Sequence, residues 1–277
     1  IISLSLVLNN KDIRGEDMKK LRYLFKEGNI GTLEIKNRVV MAPMCTIAFG
    51  PEGELTSNIA DYYAARARGG VGLIICQSSV IMWESRAPFR CSVYDDKFIP
   101  GLRMVAEAIH KNGSKAAFQL IHHGHALVDY KPLLTNPDDI KPISPSRISR
   151  LLLTDKGSGA SKEQNNPIDP STLPLEACNE DLIRIKGAFT AAARRVKEAG
   201  FDVIEIMAGH GYLLGQFLSP LYNRRSDMYG GDVENRARFV CQVISAVKDV
   251  VGQNMPVILR ISCSDYLPGG ISIEDTL

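Results

Sequence analysis

The chain has 277 residues, 45% of them hydrophobic, and a formal net charge of +2. That is enough material for one large domain or two small ones. Lysine and arginine are interspersed with aspartate and glutamate, so there is no basic stripe of the kind that grips nucleic acid. Six cysteines, at 45, 76, 91, 178, 241 and 263, form no Cys-x-x-Cys pair. This spacing argues against a zinc ribbon, a local iron–sulfur loop, any other metal site or a disulfide scaffold, and it predicts mostly buried, reduced thiols in a cytoplasmic protein.

The chain opens on an apolar run, Ile1–Leu8, that lacks the basic leader and the length of a signal peptide or membrane span. Met18-Lys19-Lys20 reads as a natural beginning. Residues 1–17 are therefore expected to be a non-native or upstream leader, and 18–277 the folding unit, with no membrane partner.

Five short apolar runs read as buried parallel strands: Val39–Met44, Val71–Gln77, Lys115–His122, Asp202–Met207 and Val257–Ser262. Between the second and third, Leu102, Val105 and Ile109, closed by Gly113, predict a helix. Asp181–Ala199 steps its apolar residues by three and four, with Asn179 as the expected cap and Gly200 as the stop. A further helix runs from Val233 to Val251, capped by Asp232 and followed by Gly252. The long segment Gly124–Ala177 is proline-rich with a polar run at Lys156–Asn166, and predicts a functional loop after the third strand.

Alternating strands and helices predict a parallel α/β fold, either an open doubly wound sheet or a (β/α)8 TIM barrel. No Gly-x-Gly-x-x-Gly turn follows the first strand, which favours the barrel. Five strands against the eight of a barrel predict one truncated after about the fifth strand.

Candidate chemistry concentrates between Phe201 and Phe239. His210 and Tyr212 follow the fourth strand, where barrels place reacting groups. A tyrosine hydroxyl can give up a proton and a histidine can polarise a carbonyl; both residues can equally be hydrogen-bonded packing groups. The same stretch continues through Asn223-Arg224-Arg225-Ser226-Asp227, Gly230-Gly231 and Glu234-Asn235-Arg236. Together with MAPM at Met41–Met44, QLIHHG at Gln119–Gly124 and VILRIS at 257–262, these motifs closely resemble the Old Yellow Enzyme group of flavin barrels, nearest its 2,4-dienoyl-CoA and 2-enoate reductase branch.

The resemblance implies bound FMN, with Pro43, Met44 and Cys45 beside the flavin, Ser78 against its ring, Gln119 on the pyrimidine edge and Arg260 near N1. It implies hydride transfer from NADH or NADPH through flavin N5 to a 2-enoate, dienoyl thioester or other unsaturated carbonyl. Tyr212 would be the proton donor and His210 the carbonyl ligand, with His122 and Met207 lining the substrate site. Met207 stands where many enone reductases of the group have histidine, and His125 where they have arginine. Later strands would supply the FMN phosphate grip, so this chain alone is expected to hold FMN poorly or aggregate. An iron–sulfur cluster and FAD belong only to longer relatives. Amine oxidation, as in trimethylamine dehydrogenase, a lysine-dependent lyase or aldolase barrel, and an inactive scaffold are the alternatives; a homo-oligomer stays open.

Overall fold

The computed structural model describes residues 21–46, 48–87, 90–133, 136–148 and 173–277. The expected leader at 1–17 and the polar run 156–166 lie outside these residues. In chain order the strands are β1 (Gly28–Ile30), β2 (Leu33–Ile35), β3 (Val40–Met41), β4 (Leu73–Val80), β5 (Cys91–Ser92), β6 (Lys115–Ile121), β7 (Ile143–Ser144), β8 (Leu175–Glu176), β9 (Val203–Ala208) and β10 (Val257–Ile261). The α-helices are α1 (Ser57–Arg68), α2 (Ile99–His110), α3 (Leu127–Tyr130), α4 (Asn179–Glu198), α5 (Leu213–Leu218), α6 (Val233–Val251) and α7 (Ile273–Thr276).

The main sheet runs β3-β4-β6-β9-β10, with the short β5 pairing off β4, and every pairing in it is parallel. Spatial order follows chain order without reversal. A doubly wound sheet needs a point where the order turns back, so the open-sheet alternative is excluded and the sheet is the first part of a barrel wall. Its two edges differ from its centre. Val40 on β3 and Leu259 and Ile261 on β10 are exposed, whereas β9 is buried along its whole length.

Side-chain parity along the strands sorts the core into two layers. The inward set of Leu73, Ile75, Ala117 and Val203 packs with Ile35 into one cluster, joined by Ile30, Leu33 and Ile258. The hairpin β1–β2 thus stoppers the barrel floor with its own apolar residues. The outward set, including Ile74, Phe118, Leu120, Ile204 and Ile206, packs against Ile59 and Tyr63 of α1, Leu102 and Val105 of α2, Phe189 of α4 and Val243 of α6. Each fully buried side chain of this size contributes about 1.5–3 kcal/mol, and this outer layer holds the helices to the wall.

Three expectations are corrected. Cys178, not Asn179, caps α4, because Asp181 bonds back to the Cys178 amide in a reciprocal box. Helix α1 is one the apolar spacing did not announce: its buried stripe is Ile59, Ala60, Tyr63, Ala64 and Ala67, too alanine-rich to stand out. Of the cysteines, only Cys76 and Cys91 are buried, while Cys45, Cys178, Cys241 and Cys263 are exposed at strand ends, a helix cap or an outer helix face. All six are free thiols. The expected loop Gly124–Ala177 begins with ordered turns and α3, then contributes β7 and β8 as a small parallel pair.

Candidate active site

Above the apolar floor the inward positions become polar. Gln119 on β6 and Glu205 on β9 are direct register partners, and Arg260 follows on β10. Glu205 is almost fully buried and accepts from the Gln119 amide nitrogen and from Arg260 Nε, the latter at 3.1 Å. A carboxylate buried this deeply is tolerable only with such partners. The pairing leaves Gln119 Oε1 as an acceptor, and both terminal nitrogens of Arg260 as donors, without partners among the described residues. One edge of acceptor beside cationic donor is what the pyrimidine side of an isoalloxazine requires, since it offers an N–H between two carbonyls. The residues present therefore fit FMN.

The loop after β3 forms one flank. Pro43 is partly buried, and Met44 and Cys45 are exposed on an extended segment. Gln77, fully buried at the end of the regular part of β4, fixes this segment by accepting from the Thr46 amide at 2.7 Å and hydroxyl at 2.9 Å. A bulge between Cys76 and Ser79 leaves Ser78 partly exposed at the strand's upper end.

The rim opposite carries the proton-transfer candidates. Tyr212 caps α5, and Leu213 N donates to His122 O at 3.1 Å, which joins the loop after β9 to the end of β6. Buried Gln216 fastens the same two loops, donating to Gly211 O at 2.6 Å and accepting from His125 N at 3.2 Å. Gly124 permits this approach: a Cβ there would stand 2.6 Å from Gln216 Oε1, and its φ is +62°. His210 is exposed with φ +58°, its amide held by Ser262 Oγ at 3.0 Å, and its ring lies 6.4 Å from that of Tyr212. Both rings border a cavity of about 220 Å³ shared with His125, Asp129, Tyr130 and Tyr222.

Strand parity separates the adjacent histidines. His122 turns outward, towards Arg184 and Asp181 of α4. His123 turns inward, its ring 5.5 Å from Tyr212 and 5.6 Å from Tyr130. Burial pushes the His122 imidazole down to about 3 and that of His123 to about 4, so both are neutral at pH 7. His123 Nδ1 meets the Ser85 carbonyl at 2.8 Å and must carry the proton, which makes its buried, unpartnered Nε2 an acceptor. Met207 is buried next to Arg260 in register and offers no donor to a carbonyl.

Three site residues were assigned no role from the sequence. Glu205 is signalled only by a charge inside the apolar run of β9, and His123 only by its parity. Arg90, on the loop between β4 and β5, gives no signal at all. It reaches Cys45 Sγ at 2.6 Å, with the phenols of Tyr212 and Tyr130 nearby.

The long signature after Tyr212 proves structural. Asn223 donates to Phe217 O and Tyr229 O, both at 2.7 Å. Arg225 binds Pro145 O, Ala177 O and Asp227, and nearly buried Arg236 binds Leu218 O and Gly231 O. These bonds pin α5, and with it Tyr212, to α6 and to the β7–β8 pair. A larger cavity of about 420 Å³, lined by His110, Ser114, Lys115 and Asp202, lies at the strands' N-terminal ends, away from these groups.

The chain is similar to several known proteins. The chain is 37% identical to a metal reductase of Desulforamulus reducens over 89% of its own length, which is 33% of that protein. It is 37% identical to an NADPH dehydrogenase of Listeria monocytogenes, covering 91% of this chain and 67% of the other. Among solved structures, histamine dehydrogenase from Rhizobium sp. 4-9 superposes with a TM-score of 0.77 at 27% identity, over 93% of this chain and 34% of that one. Morphinone reductase superposes with a TM-score of 0.74 at 31% identity, over 91% and 65%. The chain thus spans about a third of the length of the larger relatives. The family model for NADH:flavin oxidoreductases and NADH oxidases matches residues 23–277, and the chain belongs to that family.

Proposed function

We propose that the chain forms the flavin-facing part of an FMN-dependent oxidoreductase that uses NADH or NADPH to reduce a carbon–carbon double bond activated by a carbonyl group. The observation that carries this reading is the polar triad Gln119–Glu205–Arg260 beneath Tyr212 and His210. Gln119 and Arg260, with Pro43–Cys45 and Ser78, would hold the isoalloxazine, and the bound FMN supplies reversible two-electron chemistry. Arg260 places positive charge where the reduced ring gathers negative charge. Tyr212 delivers a proton to the substrate α-carbon, and His210 on the same rim orients the activating carbonyl. His122 lies behind this rim and acts on the site through its backbone carbonyl, which holds Leu213. The lyase reading has no support in the fold: the five sheet strands end on Met41, Val80, Ile121, Ala208 and Ile261, and Lys115 stands at the opposite end of β6.

The test uses the full-length protein, reduced anaerobically with NADH and then mixed with unsaturated acids, thioesters and ketones. The flavin bands should bleach with NADH and return with an alkene. Tyr212→Phe should leave the bleaching intact and slow the return by about 100-fold or more, the usual contribution of a general acid. A colourless protein that takes up no FMN overturns the reading, as does a flavin that amines reduce and no alkene reoxidises.

A further inference from the structure

We propose that Arg90 supplies the net positive charge that draws electrons onto the flavin, and so sets how readily NADH or NADPH reduces it. The inference rests on the reading that Pro43–Cys45 flank the isoalloxazine, and adds to it a residue to which the sequence gave no role.

A hydride delivered to a neutral ring adds one net negative charge, and positive charge fixed nearby favours that step. Arg260 points donors at the pyrimidine edge, but its charge is answered. Its Nε meets Glu205 Oε1 at 3.1 Å, and beyond their own separation the cation and the buried carboxylate cancel. With neutral Gln119, the triad as a whole carries no net charge. Two other arginines near the site are answered as well, Arg86 by Asp139 and Arg225 by Asp227. Arg90 differs. It is partly buried, and among the described residues it has no ion pair with a carboxylate. Glu52, which lines a cavity of about 230 Å³ with it, is committed to Lys97 at 2.9 Å. The Nε of Arg90 is buried with no hydrogen-bond partner. A guanidinium held in this way is neither cancelled by a neighbour nor fully screened by water, and negative charge arriving beside it is stabilised.

Its place beside the flank is fixed at two neighbouring residues. Arg90 Nη1 donates to Cys45 Sγ at 2.6 Å. Cys91, the next residue, is fully buried on β5, pairs with Ser79 of β4 and accepts from the Gln77 amide nitrogen. Gln77 Oε1 in turn holds the Thr46 amide at 2.7 Å and the Thr46 hydroxyl at 2.9 Å. Cys45–Thr46 and Arg90–Cys91 are thus bound to each other twice, once directly and once through a buried glutamine. The guanidinium is carried at the end of a short strand, against the segment on which the ring would lean. The lone cation and the neutral triad belong to different strands, so their charges can be changed separately.

The experiment measures the flavin potential and needs no turnover. Full-length, FMN-loaded protein is equilibrated anaerobically with a reference dye of matching potential. The ratio of reduced to oxidised flavin is then read by absorbance at a fixed dye ratio. Arg90→Met should lower that ratio at least about tenfold, which is about 30 mV for a two-electron couple. Arg90→Lys keeps the charge and should stay within about threefold of the wild type. An Arg90→Met protein that binds FMN with the ratio unchanged within about threefold overturns the proposal, and so does Arg90→Lys falling as far as Arg90→Met. Glu205→Gln tests the cancellation independently. Freeing Arg260 of its partner should raise the ratio at least about threefold, and an unchanged or lower ratio overturns the argument even where Arg90→Met loses its flavin. A full-length wild type that takes up no FMN overturns the functional reading and the proposal together. FMN bound at a potential that Arg90→Met does not move overturns the proposal alone.

Discussion

Glu205→Gln tests whether the buried triad is held by charge. Glu205 has a side chain 5% exposed, and it accepts from Gln119 and from Arg260, whose side chain is 22% exposed. The amide keeps the shape and removes the charge. Breaking a fully buried ion pair costs about 3–5 kcal/mol; since Arg260 retains solvent contact, the expected cost is about 2 kcal/mol. With a urea dependence of about 3 kcal/mol per molar for a domain of this size, the midpoint should fall by about 0.7 M. The assay is urea unfolding followed by far-UV circular dichroism and by Trp83, the one tryptophan of the chain. Arg260→Met and the double variant complete a cycle, and the two sites should couple by at least about 1 kcal/mol. A midpoint unchanged within 0.2 M, together with additive single changes, would show that the pair is incidental and remove the electrostatic argument for the flavin cradle.

Gly230→Ala should prevent correct folding of the loop after α5, because the added Cβ would lie 2.1 Å from the Arg225 carbonyl oxygen; wild-type yield and unfolding midpoint would contradict this. Arg225→Met removes bonds to two backbone carbonyls and strands Asp227, and should destabilise by about 3 kcal/mol, read as a urea midpoint lower by about 1 M. His123 is held to about 4 by burial, below its ordinary value near 6.5 in the unfolded chain. Its contribution is therefore complete above pH 6.5 and lost as pH falls towards 4, amounting to about 1 kcal/mol between pH 7.5 and 5.5. His123→Gln should flatten the pH dependence of the unfolding midpoint by that amount, and an unchanged slope would place the ring in water.

The motif that makes the family legible and the residues placed to do its chemistry are largely different sets. Asn223, Arg225, Gly230, Asp232 and Arg236 form a long, ordered string because one loop must satisfy many backbone groups at once, and a local constraint writes itself into adjacent residues. The site is assembled from strand ends and loops far apart in the chain. Gln119 and Arg260 stood out through resemblance, but the carboxylate that joins them did not.

By itself the sequence determined the parallel α/β class, the five strands and three of the major helices, since these rest on local apolar period, caps and glycine stops. It also determined that Tyr212 and His210 stand at a strand's C-terminal end. Only the tertiary structure decided that the strand order never reverses, which makes the sheet a barrel wall. It also decided which of two neighbouring histidines faces Tyr212, and that Arg90 reaches across to Cys45. Parity along a strand and the meeting of distant loops depend on how the sheet closes on its helices, and no local pattern records that.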